Sequence, residues 1–166
     1  LALEDLRRIL QKYPELKSFS TPFIRKYPVN CKGIQRIEFL KERVSLTLAF
    51  GEVEPCLDQL NKDFLKFDAW FFDGFSPNLN PEMWSEHLFK LVSDLSHKET
   101  TCSTFSSSKI VKENLKKNGF SLKQAKGFQK KRQMLIGKFK STSKKKLGNG
   151  REKIGIIGAG IAGCSL

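Results

Sequence analysis

No uninterrupted apolar run of about 18 residues occurs in the sequence, so nothing in it reads as a membrane span. Cysteine is sparse and scattered. The four, Cys31, Cys56, Cys102 and Cys164, never stand in the C-x-x-C spacing of a zinc or redox motif, which argues against a metal site and against a disulfide framework. Histidine is rarer still. His87 and His97 lie around an expected helix with no cysteine nearby, and both read as surface residues. The opening residues, Leu1 to Leu10, mix charged and apolar side chains and lack the organisation of a signal peptide. Free thiols without an export signal suit a reducing, cytoplasmic setting. There is no internal repeat. What is present is enough to fold: 166 residues with 39% hydrophobic content and 14 Phe can bury the core of one ordinary domain.

Acidic residues are nearly missing from one stretch. Between Lys109 and Lys153 there are 16 Lys and Arg against two acids, Glu113 and Glu152, whereas the rest of the chain carries 14 against 15. The whole basic excess, +13 for the chain, is therefore confined to that stretch. Such a density concentrates polyanions near it and binds phosphates by releasing counterions, which points to RNA or DNA. A solvated lysine-rich face without a partner is the alternative.

Periodicity supplies the elements. Leu3, Leu6, Ile9 and Leu10 predict a helix over 3–12 that closes before Pro14, and Pro14, Pro22 and Pro28 then mark an irregular stretch. Residues 34–40 and 43–50 alternate apolar and polar and predict paired strands. Residues 53–66 read as a helix, and 67–72 (Phe-Asp-Ala-Trp-Phe-Phe) as a buried parallel strand that stops at Asp73-Gly74. A helix over 83–96, a strand over 101–105 and a helix from 108 to 118 ended by Gly119 follow, then two strands, 120–126 and 134–139. Alternating strands and helices imply an α/β fold, a parallel sheet with helices on its faces, to which the last two strands add a hairpin. Residues 140–152 hold almost nothing to bury and read as a basic linker.

Two segments carry chemistry. After the linker, an apolar strand runs into Gly158-Ala-Gly160-Ile-Ala-Gly163. This is the G-x-G-x-x-G pattern in which glycines permit a tight turn, backbone approach to a pyrophosphate and close helix packing. The acidic residue expected about 20 positions later falls beyond Leu166, so the pattern does not choose between FAD and NAD. The second segment runs from Asp73 to Trp84 and begins where the buried strand ends, the rim at which open α/β sheets collect ligands. A carboxylate there can orient an amine or take its proton, with Phe75 and Pro77 as flat walls for a base. It can equally be a turn residue, as Asp before Gly often is. Trp70, Phe71 and Phe72 read as sheet core, Trp84 as either helix packing or pocket wall, and Ser106 to Ser108 as a helix cap.

The stretch Asp68-Ala-Trp-Phe-Phe-Asp-Gly-Phe-Ser-Pro-Asn-Leu-Asn-Pro-Glu-Met-Trp84 closely resembles a signature of the MnmC family, the bifunctional tRNA 5-methylaminomethyl-2-thiouridine biosynthesis proteins. The likeness continues through Thr104 to Ser107, Gly119-Phe120 and Gly127 to Leu135, and the glycine pattern lies where that family begins its flavin domain. The resemblance implies a two-step modification of a tRNA wobble uridine. FAD-dependent removal of a carboxymethyl group leaves an aminomethyl group, which S-adenosylmethionine (SAM) then methylates in a class I, Rossmann-like methyltransferase domain. It implies Asp73 as the catalytic carboxylate, Phe75 and Pro77 around the target base, Glu52 near the adenine of SAM, Gly158, Gly160 and Gly163 on the FAD pyrophosphate, and Lys130, Lys131 and Arg132 on tRNA phosphates. It divides the chain into the C-terminal portion of a methyltransferase domain (1–139), a basic linker (140–152) and the start of an FAD-binding domain (153–166).

The sequence departs from that family at Leu79, where Lys is usual, Gln129 (Gly), Gln133 (Glu) and Glu52 (Asp). The family's own glycine loop for SAM would precede Leu1, so the 166 residues alone are expected neither to bind the methyl donor tightly nor to turn over. Two other functions compete: a non-catalytic basic RNA-binding module, and an FAD or NAD oxidoreductase with an unrelated N-terminal domain.

Overall fold

The computed structural model describes residues 3–28, 32–127, 133–140 and 152–158. Its described residues divide into two units on either side of the Glu52–Val53 bond.

In the first unit, α1 (Leu3–Leu10) forms where the apolar spacing predicts it, with Glu4 and Asp5 at its positive end and Arg7 and Arg8 at its negative end. The proline-marked stretch is more regular than expected. A 3-10 turn, Pro14–Leu16, leads into α2 (Lys17–Lys26), which carries Pro22 inside it. Pro14 opens the turn, where its missing N–H has no partner to lose, while Pro22 removes one bond from a short helix. Strands β1 (Gly33–Phe39) and β2 (Val44–Phe50) pair antiparallel, Gly33 opposite Phe50 and Phe39 opposite Val44. Arg43 turns the chain between them with φ of 57°, a conformation that a side chain rarely adopts. Tyr27 meets Phe23 and Phe50 edge-on at 5.5 and 6.1 Å, and burial pushes its phenol pKa up.

The second unit is a five-stranded mixed sheet in the order β5-β6-β4-β3-β7. Its strands are β3 (Phe67–Asp73), β4 (Ser96–Thr104), β5 (Phe120–Lys126), β6 (Gln133–Phe139) and β7 (Ile154–Gly158). β3 runs parallel to β4 and β7, while β6 is antiparallel to both β4 and β5, giving the expected hairpin. Helices α3 (Val53–Asp58), α4 (Glu86–Asp94) and α5 (Lys109–Lys117) feed Leu57, Leu88, Phe89, Val92, Val111 and Leu115 into one core with Trp70, Phe72, Cys102 and Ile157 of the sheet. Ser85 and Ser108 cap α4 and α5 by accepting the N–H of Leu88 and of Val111. Gly119, at φ 91°, takes the left-handed position after α5.

Three expectations need correction here. The helix predicted over 53–66 stops at Asp58, and the Asn61 side chain accepts the N–H of Asp63 in a local turn that competes with the helix. β3 is buried on one face only: Trp70 and Phe72 are in the core, but Phe71 is 45% exposed on the other face. His97 is not a surface residue; it is 2% exposed, at the start of a β4 that begins five residues earlier than its apolar pattern shows. His87 is exposed as expected.

Packing is tight where β4, β5 and β6 meet. A Cβ on Gly137 would lie 2.7 Å from both the Cys102 Sγ and the Leu122 Cδ2. Gly137→Ala is therefore expected to destabilise the unit by about 1–3 kcal/mol, read as a lower melting temperature; an unchanged melt would show that the strands yield without cost.

Candidate functional site

Asp73 is the last residue of β3, so the strand delivers its side chain to the carboxyl rim of the sheet. The carboxylate is exposed and has no hydrogen-bond or ion-pair partner among the described residues. A chain-turning Asp would bond back to its own loop, and this one does not. The following loop is held from beneath by Trp84, which is 1% exposed. Its indole N–H donates to the Phe75 carbonyl at 2.7 Å, and its own carbonyl accepts from the Asn114 amide of α5 at 2.8 Å. Gly74 lies against the Trp84 ring and Met83, where a Cβ would meet the Met83 Cε at 3.2 Å. Phe75 and Pro77 stay half-buried beside Asp73 in sequence, while Leu79 is 77% exposed at the loop tip. Trp84 is therefore the loop's anchor.

Gly158 ends β7 directly opposite Asp73. A Cβ on it would sit 2.4 Å from the Asp73 carbonyl oxygen, so only glycine fits this register. Glu52 is exposed at the end of the other unit, one residue before α3. Lys130, Lys131, Arg132, Gly160 and Gly163 lie outside the described residues, as does most of the predicted linker.

At the opposite end of β3 is a polar cluster that periodicity did not reveal. Asp68 accepts the N–H of Lys153 at 2.8 Å and pairs with the His97 Nε2 at 3.0 Å. The His97 Nδ1 accepts the N–H of Glu99 at 3.1 Å, which places the ring proton on Nε2, pointing at Asp68. His97 N–H donates to the Thr100 hydroxyl, which donates to the Phe67 carbonyl. These bonds fasten the starts of β3, β4 and β7 together. The signal in the sequence was a carboxylate interrupting an otherwise apolar strand.

The remaining feature is a cavity of about 810 Å³ on the face of the sheet that bears Phe71. Lys98, Lys123, Lys138 and Lys140 line it with Ile136 and Cys102. Its lining reaches Phe71 and does not include Asp73. Lys138 is paired with Glu99 at 2.6 Å and holds that carboxyl below its usual range. Burial pushes the Cys102 thiol up to about 12, so it stays protonated at neutral pH. Under native conditions Cys102 is expected to resist iodoacetamide while half-buried Cys56 reacts first, as read by peptide mass mapping. Equal labelling would show that β4 opens readily.

The carboxyl rim of an open α/β sheet is where such folds collect ligands. The family model for S-adenosyl-L-methionine-dependent methyltransferase matches residues 14–140, and the chain belongs to that family. Within it, the sequence is 43% identical to the tRNA 5-methylaminomethyl-2-thiouridine biosynthesis bifunctional protein MnmC of Methylobacillus flagellatus, over 98% of this chain, and 39% identical to that of Marinomonas sp. strain MWYL1, over 94%. The chain spans about a quarter of the length of these relatives (24% and 25%). The crystal structure of MNMC2 from Aquifex aeolicus superposes with a TM-score of 0.61 over 78% of this chain and 39% of that one; at 23% identity it supports the fold.

Proposed function

We propose that the chain forms part of the methyltransferase half of a bifunctional enzyme that modifies the wobble uridine of tRNA in the cytoplasm. The single observation that carries this is the Asp73 carboxylate, without a partner among the described residues, at the rim of a methyltransferase sheet and at the head of a loop that Trp84 fixes in place. SAM, when bound, supplies an electrophilic methyl group. An exposed carboxylate can accept a hydrogen bond from the aminomethyl N–H of the uridine, orient its lone pair and take the proton released as nitrogen is methylated. Phe75 and Pro77 offer apolar walls to the base, and Glu52 an acceptor for the adenosyl end of the donor. A wobble base is single-stranded, so presenting it to the rim avoids the cost of opening a duplex. Lys130, Lys131 and Arg132 would pair with tRNA phosphates, and the exposed Lys123, Lys126 and Lys140 of the β5–β6 hairpin extend that basic surface.

For the parent protein we extend the reading to the preceding step. The methyltransferase portion (1–139) would be joined by the basic linker (140–152) to an FAD-binding domain whose first strand and Gly158, Gly160 and Gly163 face the FAD pyrophosphate. FAD, when bound, would accept the electrons as the carboxymethyl group is removed. The test is transfer of radiolabelled methyl groups by the full-length parent to tRNA carrying the aminomethyl modification. Donor-dependent labelling of the wobble base is expected. RNA binding without labelling would favour the non-catalytic module.

A further inference from the structure

Strand β7 stands at the end of the sheet, and its outer edge is open. Just before the strand, the N–H and the C=O of Lys153 both turn toward β3. There Asp68 accepts the N–H at 2.8 Å and donates its own N–H to the carbonyl at 2.7 Å. Strand geometry reverses this direction at each successive residue. The backbone groups of Gly155 and Ile157 therefore face β3, while those of Ile154, Ile156 and Gly158 face outward, where no described residue pairs with them. The side chains of Ile154 and Ile156 are 54% and 74% exposed, next to Phe71 of β3.

The opposite edge of the sheet is protected. There β5 carries Lys123 and Lys126, charges of the kind that keep an edge from pairing with another chain. Between Ile154 and Gly158 there is neither a charge nor a proline. The strand also matches itself. Turned about a two-fold axis through Ile156, two copies of β7 pair antiparallel with Ile156 opposite Ile156, Ile154 opposite Gly158 and Gly155 opposite Ile157. The outward residues then all fall in mutually hydrogen-bonded pairs. Away from the axis each Ile meets a Gly, so bulk on one strand is answered by space on the other. We propose that the open edge of β7 joins a second copy of this chain in a symmetric dimer, which runs the two sheets into one across the Ile156 pair. A second copy is the occupant because the edge is uncharged and in register with its own sequence. This goes beyond the proposed function and does not depend on it.

Sedimentation velocity and residue-resolved hydrogen exchange on the 166-residue chain test it. A monomer–dimer equilibrium is expected. The Ile156 amide should exchange freely in dilute protein and become protected as concentration rises, while the Ile157 amide, which faces β3, is protected throughout. Ile156→Lys should raise the dissociation constant of the dimer about tenfold or more, since it removes an apolar pair and sets like charges opposite each other. The melt of the monomer should not change, because the side chain is exposed. If that variant fails to fold, the exchange of the unsubstituted chain decides. Ile156→Cys should be joined to its own copy by a short bis-maleimide, and Ile154→Cys far less, because position 154 faces 158 in this register. Salt should tighten the pair, as screening relieves the repulsion between two chains of +13 each. A chain that stays monomeric, a dimer indifferent to Ile156→Lys, cross-linking at 154 in preference to 156, or dissociation by salt (the mark of copies bridged by nucleic acid) would each overturn the proposal. So would an Ile156 amide in the full-length parent that is protected at every concentration, since the edge would then be covered within one molecule.

Discussion

Asp73→Asn in the full-length parent is expected to lower methyl transfer by about 10²- to 10⁴-fold while tRNA affinity and melting temperature stay near those of the unsubstituted protein. The size follows from what the residue can do. Asparagine has nearly the same shape but can neither take a proton nor stabilise the charge that develops on the methylated nitrogen. The selectivity follows from what Asp73 does not do. It makes no hydrogen bond or ion pair to another described residue, and it is exposed, so removing its charge leaves no buried group stranded. A structural Asp would behave in the opposite way: stability would fall and the catalytic loss would follow the unfolded fraction. Single-turnover rates beside thermal melts separate these cases. Unchanged methylation would remove Asp73 from catalysis and leave the basic surface as the function of this region.

What the sequence made legible was what local chemistry decides. The α1 stripe, the β1–β2 alternation, the serine cap at Ser108 and the Gly119 stop are all dictated within a few residues, and each stands where its pattern puts it. Asp73 at the end of β3 was legible for the same reason, because an apolar run that meets Asp-Gly has few other ways to end. The misplaced features depend on distant partners. His97 lies in a polar sequence, and its burial is settled by Asp68, 29 residues away, and by Thr100 and Glu99 satisfying its remaining bonds. Phe71 looked like core because its neighbours are, yet a parallel strand is buried on both faces only when both faces are covered, and Phe71 points to the face opposite α4 and α5. The pairing of β7 with β3 was invisible because a linker of charged residues reads as a boundary, and nothing in composition says which sheet edge the next strand will meet.

Trp84 offers the largest stability test and shows how packing reaches the site. Trp84→Ala is expected to cost about 3–5 kcal/mol, since a 1% exposed indole is lost from the core beside Phe89. The Phe75 carbonyl would lose its donor as well. For a chain of this size that is a fall of about 10 °C or more in melting temperature. Trp84→Phe isolates the polar part. It keeps a ring against Gly74 and Phe89 but has no N–H, so the loop carrying Phe75 and Pro77 loses its tether while the bond from Asn114 to the backbone carbonyl of residue 84 is retained. The expected cost is about 1–3 kcal/mol. In the parent, the loosened loop should raise KM for the tRNA substrate more than it lowers kcat, because Asp73 sits on β3 and keeps its place. A Trp84→Phe protein with unaltered KM and a normal melt would show that the loop is positioned by Gly74 and Met83 instead, and that the indole hydrogen bond is incidental to the site.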